Sequence, residues 1–90
     1  MDPFYTDIAP DDAIEIEQLA RLMYDLRSAR DKLLSELGAD DAAEVLDRIR
    51  SGQLPEHPAY EQYLSLCILA DLQTRVRSDL AIRVKESRKQ

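Results

Sequence analysis

The fold is decided by residues 16–37, IEQLARLMYDLRSARDKLLSEL. Apolar residues recur in this stretch at alternating steps of three and four, the spacing that aligns them along one side of an α-helix packed against other helices. One position of the row is an arginine, Arg30, whose guanidinium must reach a carboxylate or extend to water. We call this row the first seam, and its members are Ile16, Leu19, Met23, Leu26, Arg30, Leu33 and Leu37.

Composition favours a single all-α domain over residues 1–90. The chain is 44% hydrophobic and 33% charged, with two glycines and no tryptophan, a balance that suits long helices better than a sheet. Cys67 stands alone and has no cysteine to pair with, so nothing points to an oxidising compartment. The longest apolar run, residues 66–70, is too short to span a bilayer, and no signal-peptide pattern opens the sequence. We therefore expect a cytoplasmic protein with no membrane contact.

Start and stop signals predict an extended arm followed by a long helix. Residues 1–10 hold two prolines and no sustained period, so they predict an arm. Asp12 and Glu15 have the spacing of a capping box, which predicts that the first helix begins there. Gly38 can adopt the left-handed conformation that ends a helix, so we predict the first helix over 12–37. The arm also has apolar side chains that could lie on a neighbouring surface: Phe4, Tyr5 and Ile8.

The rest of the chain predicts a short helix and a second long one. A second capping signal at Asp41 and Glu44, with Asp40 as an alternative cap, predicts a short helix over 41–51. Pro58 suits the first position of a helix because the N–H that it lacks would be unpaired there anyway. No glycine or proline interrupts the chain from there to its end, so we predict the third helix over 58–86.

Charge is polarised along the chain and favours an antiparallel hairpin of the two long helices. Residues 1–20 carry six acids and no Lys or Arg, whereas residues 72–90 carry six Lys or Arg and two acids. Antiparallel packing would place the acidic start of the first helix beside the basic end of the third. Each cluster would also lie at the favourable pole of its own helix dipole. The net charge of −6 argues against a general nucleic-acid binder.

The third helix has apolar residues on two sides, which predicts a homodimer or higher oligomer. One row consists mostly of small residues and includes Tyr63, Cys67 and Ala70, and a second row lies roughly opposite it. One row can cover the first helix, and the other would be exposed to solvent in a monomer. We therefore expect a two-fold dimer that completes a four-helix bundle. The predicted interface residues are Tyr63, Cys67, Leu69, Ala70, Leu72, Val76 and Leu80.

We also predict a buried ion pair between Arg30 and Asp71. Asp71 is the only acid between Glu61 and Asp79 on the third helix. An antiparallel hairpin could bring Asp71 within reach of the middle of the first helix. The alternative is that the arginine side chain lies over its apolar neighbours with its guanidinium in water.

Candidate catalytic and ligand-binding residues are sparse. His57, the only histidine, is expected to be a solvated turn residue, and Cys67 a buried, inert thiol without a basic neighbour. With one His and one Cys, no recognisable metal-ligand spacing can be assembled, so we expect no metal or cofactor. Arg48 and Arg50 after Gly38 resemble a helix-turn-helix arrangement, but the acids of the same segment would face phosphates.

These observations favour a non-catalytic helical oligomerisation or regulatory module that binds itself and could bind another protein. Two alternatives stay open. In the first, Arg27, Arg30, Arg75 and Arg77 point inward and bind a small dianion. The order of long, short and long helix is similar to that of the all-helical chorismate mutases, and this resemblance of layout implies an enzyme. In the second, the acidic residues 1–17 imitate nucleic-acid phosphates, as in an antitoxin-like inhibitor of a basic partner.

Overall fold

The computed structural model describes residues 9–88, which form three α-helices with no strand among them. Helix α1 spans Pro10–Leu37, α2 spans Ala42–Arg50 and α3 spans Glu56–Arg88. The prediction of an all-α fold with a long, a short and a long helix is confirmed. Most of the predicted arm, residues 1–8, lies outside the described residues.

Helix α1 begins two residues earlier than predicted and without the predicted cap. Pro10 occupies its first turn, and the N-cap residue Ala9 makes no side-chain capping bond. A residue before proline is held extended, as Ala9 is at φ −58° and ψ 145°. The predicted capping box of Asp12 and Glu15 is wrong because Pro10 already starts the helix. The Glu15 carboxylate instead accepts a hydrogen bond from Arg83 of α3.

The end of α1 is set by Gly38, as predicted. Gly38 has φ 65°, a left-handed conformation that costs glycine little. Its N–H donates to the carbonyl of Ser35 at 3.2 Å, and the N–H of Ala39 donates to the carbonyl of Leu34 at 3.0 Å. These two bonds form a Schellman motif, which pairs carbonyls that the helix end leaves open. Ala39 and Leu34 are both buried in the same apolar cluster, so the turn also directs the chain into the core.

Helix α2 begins at the second capping signal. Asp41 Oδ1 accepts a hydrogen bond from the Glu44 N–H at 2.8 Å, and Glu44 Oε2 accepts one from the Asp40 N–H at 2.7 Å. Asp41 is therefore the cap, and the prediction that a short helix begins at this signal is confirmed. The reciprocal bond of Glu44 goes to the residue before the cap, so the pair is a variant of the capping box. Asp41 and Ser51 flank the helix as its two caps.

Helix α3 contains a local break at its start. His57 has non-helical dihedral angles (φ −106°, ψ 125°), and the peptide bond to Pro58 is cis. Regular helix therefore runs from Pro58, the predicted start, and continues to Arg88, two residues beyond the predicted end.

The apolar core is thickest where the end of α1, α2 and the first half of α3 meet. Leu34, Val45 and Leu66 are buried there, one from each helix, and Val45 is fully enclosed. Half-buried residues complete this cluster: Leu33, Leu37, Ala42, Ile49, Leu54 and Tyr63.

The first seam is the inward side of α1. Ile16 is buried and the other six seam residues, Arg30 among them, are half-buried. The spacing therefore predicted the packed side of this helix correctly. At the far end, Glu15 near the start of α1 contacts Arg83 near the end of α3.

Candidate interaction surface

The side of α3 that faces away from the core carries a stripe of large, exposed apolar side chains. Tyr60, Leu64, Ile68 and Leu72 follow one another at intervals of four residues and are 43%, 42%, 60% and 38% exposed. An interval of four turns the helix by about 40° beyond a full circle, so these residues form one continuous stripe that winds slowly around the helix. We call this stripe, together with the polar and charged residues beside it, the outer face of α3; those residues are His57, Glu61, Asp71 and Arg75.

The predicted interface is only partly on this face. Val76 is buried, and Leu69 and Leu80 are half-buried. Together with Leu66 they recur at steps of three, seven and four, so they lie on the inward side of α3. The assignment of Leu69, Val76 and Leu80 to an exposed interface is therefore corrected, because the chain's own packing already covers them.

The other four predicted interface residues divide between two environments. Tyr63 packs against the core cluster, whereas Cys67, Ala70 and Leu72 are exposed. The expectation that Cys67 is buried is wrong, because its neighbour Leu66 takes the inward position on that turn. The sequence analysis missed three residues of the outer face, although their spacing of four with Leu72 was the available signal: Tyr60, Leu64 and Ile68.

Two tyrosines on the first turns of α3 join the core to the outer face. The rings of Tyr60 and Tyr63 stack with centroids 6.0 Å apart and planes at 28°, a geometry favourable for aromatic pairs. A hydrogen bond with the Cys67 side chain raises the pKa of the Tyr63 phenol above its ordinary value of 10.0. Tyr63 therefore stays neutral at physiological pH and acts as a packing group.

Polar and charged side chains of the outer face are paired along the helix. His57 Nδ1 lies 2.9 Å from Glu61 Oε1, and Arg75 Nη2 lies 3.2 Å from Asp71 Oδ2. All four side chains are more than half exposed, so each pair contributes little to stability by itself. The expectation that His57 is a solvated turn residue agrees with its 85% exposed side chain.

The structure does not form the predicted buried pair of Arg30 and Asp71. Arg30 Nη1 lies 3.5 Å from Asp31 Oδ1, the residue next to it, and Asp71 is bound to Arg75. The Arg30 side chain is 34% exposed and the Asp71 side chain 61% exposed. Partners on the same helix reach each charge first, so Arg30 extends from the first seam to water.

The four arginines considered for a dianion site have different environments. Arg27, Arg75 and Arg77 are exposed, and Arg30 is half-buried. Arg75 is bound to Asp71 in the middle of α3, whereas Arg77 lines a groove near the end of that helix. Within one chain, the structure therefore does not point all four side chains inward.

Arg48 holds the junction between α1 and α2. Its Nη1 donates to the carbonyl of Gly38 at 2.7 Å, and its Nη2 donates to Glu44 Oε1. Glu44 in turn accepts from the Asp40 N–H. Arg48 thus links the end of α1 to the start of α2 through hydrogen bonds. Its side chain points into the turn, whereas a phosphate-binding residue of a helix-turn-helix would point outward.

Replacing Arg48 by methionine is expected to lower the free energy of unfolding by about 1–2 kcal/mol, because two charge-assisted hydrogen bonds of a half-buried side chain are lost. Arg50→Met, on the exposed side of the same helix, is the matched control and should change stability by less than about 0.5 kcal/mol. Urea unfolding followed by circular dichroism measures both values. Equal losses in the two variants would show that the Arg48 bonds do not stabilise the junction.

The acidic start of α1 and the basic end of α3 meet at a small polar pocket. Glu15 and Arg83 form an ion pair there, with both side chains half exposed. The pocket has a volume of about 110 Å³ and is lined by Asp12, Glu15, Arg83, Glu86 and Ser87. Part of the polarised charge is therefore satisfied within the chain.

A larger groove runs along the last turns of α3. Its volume is about 560 Å³. Leu80, Ala81 and Val84 supply apolar lining, and basic side chains border it: Arg77, Lys85 and Arg88. An apolar floor with a basic border suits an acidic segment that carries apolar side chains.

Among residues 9–88, no group of three or more His, Cys, Asp or Glu side chains could hold a metal ion. No helix in this described part is long and apolar enough to cross a bilayer. Comparison with protein-family models, curated proteins and solved structures finds no match to the chain.

Proposed function

We propose that the chain is a non-catalytic oligomerisation and interaction module, in which α1 and α3 form an antiparallel hairpin and two copies join through the outer face of α3. The observation that carries this proposal is the exposed stripe from Tyr60 to Leu72, on the opposite side of α3 from its buried residues. A contiguous apolar stripe of this kind is typical of a protein interface. Full burial of each large side chain contributes roughly 1.5–3 kcal/mol relative to full exposure.

The residue pattern favours a second copy of the chain as the occupant, with Ile68 at the two-fold axis. Leu64 and Leu72 are each four residues from Ile68, and Glu61 and Arg75 are each seven residues from it. An antiparallel pair of α3 helices centred on Ile68 would therefore place Leu64 against Leu72 of the second copy. It would also place Glu61 opposite Arg75 of the second copy, and symmetry makes each contact twice.

The charge distribution along α3 also supports this antiparallel arrangement. Glu56 and Glu61 lie near the start of the helix, whereas Arg83 and Lys85 lie near its end. Two parallel copies would bring like charges together at both ends. In the antiparallel arrangement opposite charges approach each other, which favours this register over alternatives.

Charge reversal tests this register. Glu61→Arg and Arg75→Glu should each weaken the dimer by about 5-fold to 100-fold, because two attractive contacts of roughly 0.2–1 kcal/mol each become repulsive. The double variant, and an equimolar mixture of the two single variants, should regain most of the affinity because opposite charges face each other again. Sedimentation equilibrium at about 0.1–0.15 M salt, where distant charges are screened, measures each dissociation constant.

Two exposed charges of α1 provide controls with the same change in net charge. Glu17→Arg and Arg21→Glu lie away from α3's outer face and should leave the dissociation constant within about two-fold of the parent chain, as expected for distant charges at ordinary ionic strength. A folded parent chain that stays monomeric at tens of micromolar would refute dimerisation. Single variants that weaken association without recovery in the double variant would refute the Ile68-centred register.

A further inference from the structure

The groove near the end of α3 has the chemistry to bind the segment that precedes α1. Leu80, Ala81 and Val84 form its apolar lining, with Arg77 and Lys85 on its border. Residues 1–8, MDPFYTDI, combine two acids with no Lys or Arg. The same segment contributes apolar side chains at three positions: Phe4, Tyr5 and Ile8. Apolar and acidic groups of the segment thus match the apolar lining and basic border of the groove.

The connection to α1 brings this segment close to the groove. Glu15, in the second turn of α1, is bound to Arg83, which lies within the same stretch of α3 as the groove. Ala9, the residue before α1, has extended backbone dihedral angles. Eight residues can span at most about 28 Å, whereas the part of α3 that lines the groove, residues 77 to 88, is about 16 Å long. Residues 1–8 are therefore long enough to cover the groove of their own chain.

We infer that residues 1–8 dock in the groove of the same chain, with their apolar side chains on Leu80, Ala81 and Val84 and their acids toward Arg77 and Lys85. This contact would extend the packing of α1 on α3 beyond Ala9. It does not depend on dimerisation, because the groove lining lies apart from the residues of the outer face that would pair in a dimer.

A tryptophan introduced by Phe4→Trp tests the inference in the full-length chain. The sequence has no tryptophan, so its fluorescence reports on this one position. Docking predicts emission to the blue of the same variant in denaturant, with several-fold weaker quenching by acrylamide. Ala81→Glu, which places an acid in the groove lining, should return the emission and the quenching toward the denatured values. Lys85→Glu should act in the same direction by reversing a border charge.

Ala70→Glu is the matched control because Ala70 is another exposed alanine of α3, outside the groove lining. It should leave the blue emission unchanged, and circular dichroism should show equal helix content in all variants. Solvent-like emission from Phe4→Trp alone would overturn docking. Blue emission that survives Ala81→Glu would place residue 4 elsewhere and overturn the assigned groove. Blue emission lost on dilution would assign the contact to a second copy and overturn docking within one chain.

Discussion

Replacing Leu66 by alanine is expected to lower the free energy of unfolding by about 2–5 kcal/mol. Leu66 is 2% exposed and lies in the cluster where all three helices meet, in contact with the region of Leu34 and Val45. Alanine would remove apolar contacts to each of these elements and leave a cavity that helices joined by short turns cannot fully close. A core this thin has few other buried residues to offset the loss.

Leu22→Ala is the matched control because it makes the same chemical change at a leucine of α1 that is 43% exposed. We expect a loss below about 1 kcal/mol for this variant, and below about 1.5 kcal/mol for the volume-conserving Leu66→Met. Urea unfolding at one fixed protein concentration measures all three values, since association would make stability depend on concentration. Similar losses for Leu66→Ala and Leu22→Ala would contradict a core centred on Leu66.

Local signals in the sequence predicted the helix ends well where one physical cause dominated. Gly38 ends α1 because the left-handed conformation has a low energy for glycine but not for most other residues. Asp41 caps α2 because its side chain accepts a hydrogen bond from an N–H three residues away. Both effects act within six residues. The prediction at Asp12 failed because Pro10, two residues earlier, also starts a helix and needs no capping side chain.

The sequence could not decide which side of α3 faces α1. The helix has more apolar residues than one packed side requires, and periodicity treats these rows as equivalent. The choice depends on long-range packing, which placed Leu69, Val76 and Leu80 inward and left Ile68 exposed. The first seam was predicted more easily because α1 has one dominant apolar row.

The pairing of Arg30 with Asp71 failed for a related reason. Arg75 lies one helical turn from Asp71 and binds it on the same helix, at a spacing that favours ion pairs. The Arg30 guanidinium lies near the carboxylate of its neighbour Asp31. Partners four residues apart were visible in the sequence. Contacts between helices depend on how each helix is oriented about its own axis, and the residue pattern alone did not determine that orientation.

Replacing Ile68 by glutamate is expected to weaken the proposed dimer by roughly 20-fold to 400-fold through lost apolar burial alone. Ile68 is the most exposed residue of the apolar stripe, at 60%, and the Ile68-centred register places two copies of it together. About 60% of each Ile68 side chain is left for a dimer to bury, so losing the burial of two copies corresponds to roughly 2–3.5 kcal/mol. Two carboxylates beside the axis would also repel each other, so below about pH 4, where glutamate becomes protonated, the affinity of Ile68→Glu should approach that of Ile68→Gln.

Ile14→Glu is the control, since Ile14 is similarly exposed, at 55%, and belongs to α1. It introduces the same charge and should leave the dissociation constant nearly unchanged. Ile68→Gln separates the two causes: it loses the apolar contact without gaining charge, so its weaker association should not recover in acid. Sedimentation equilibrium measures association, and circular dichroism verifies that each variant remains helical. If Ile68→Glu and Ile14→Glu weaken association equally, the added charge is responsible and the outer face of α3 is not the dimer interface.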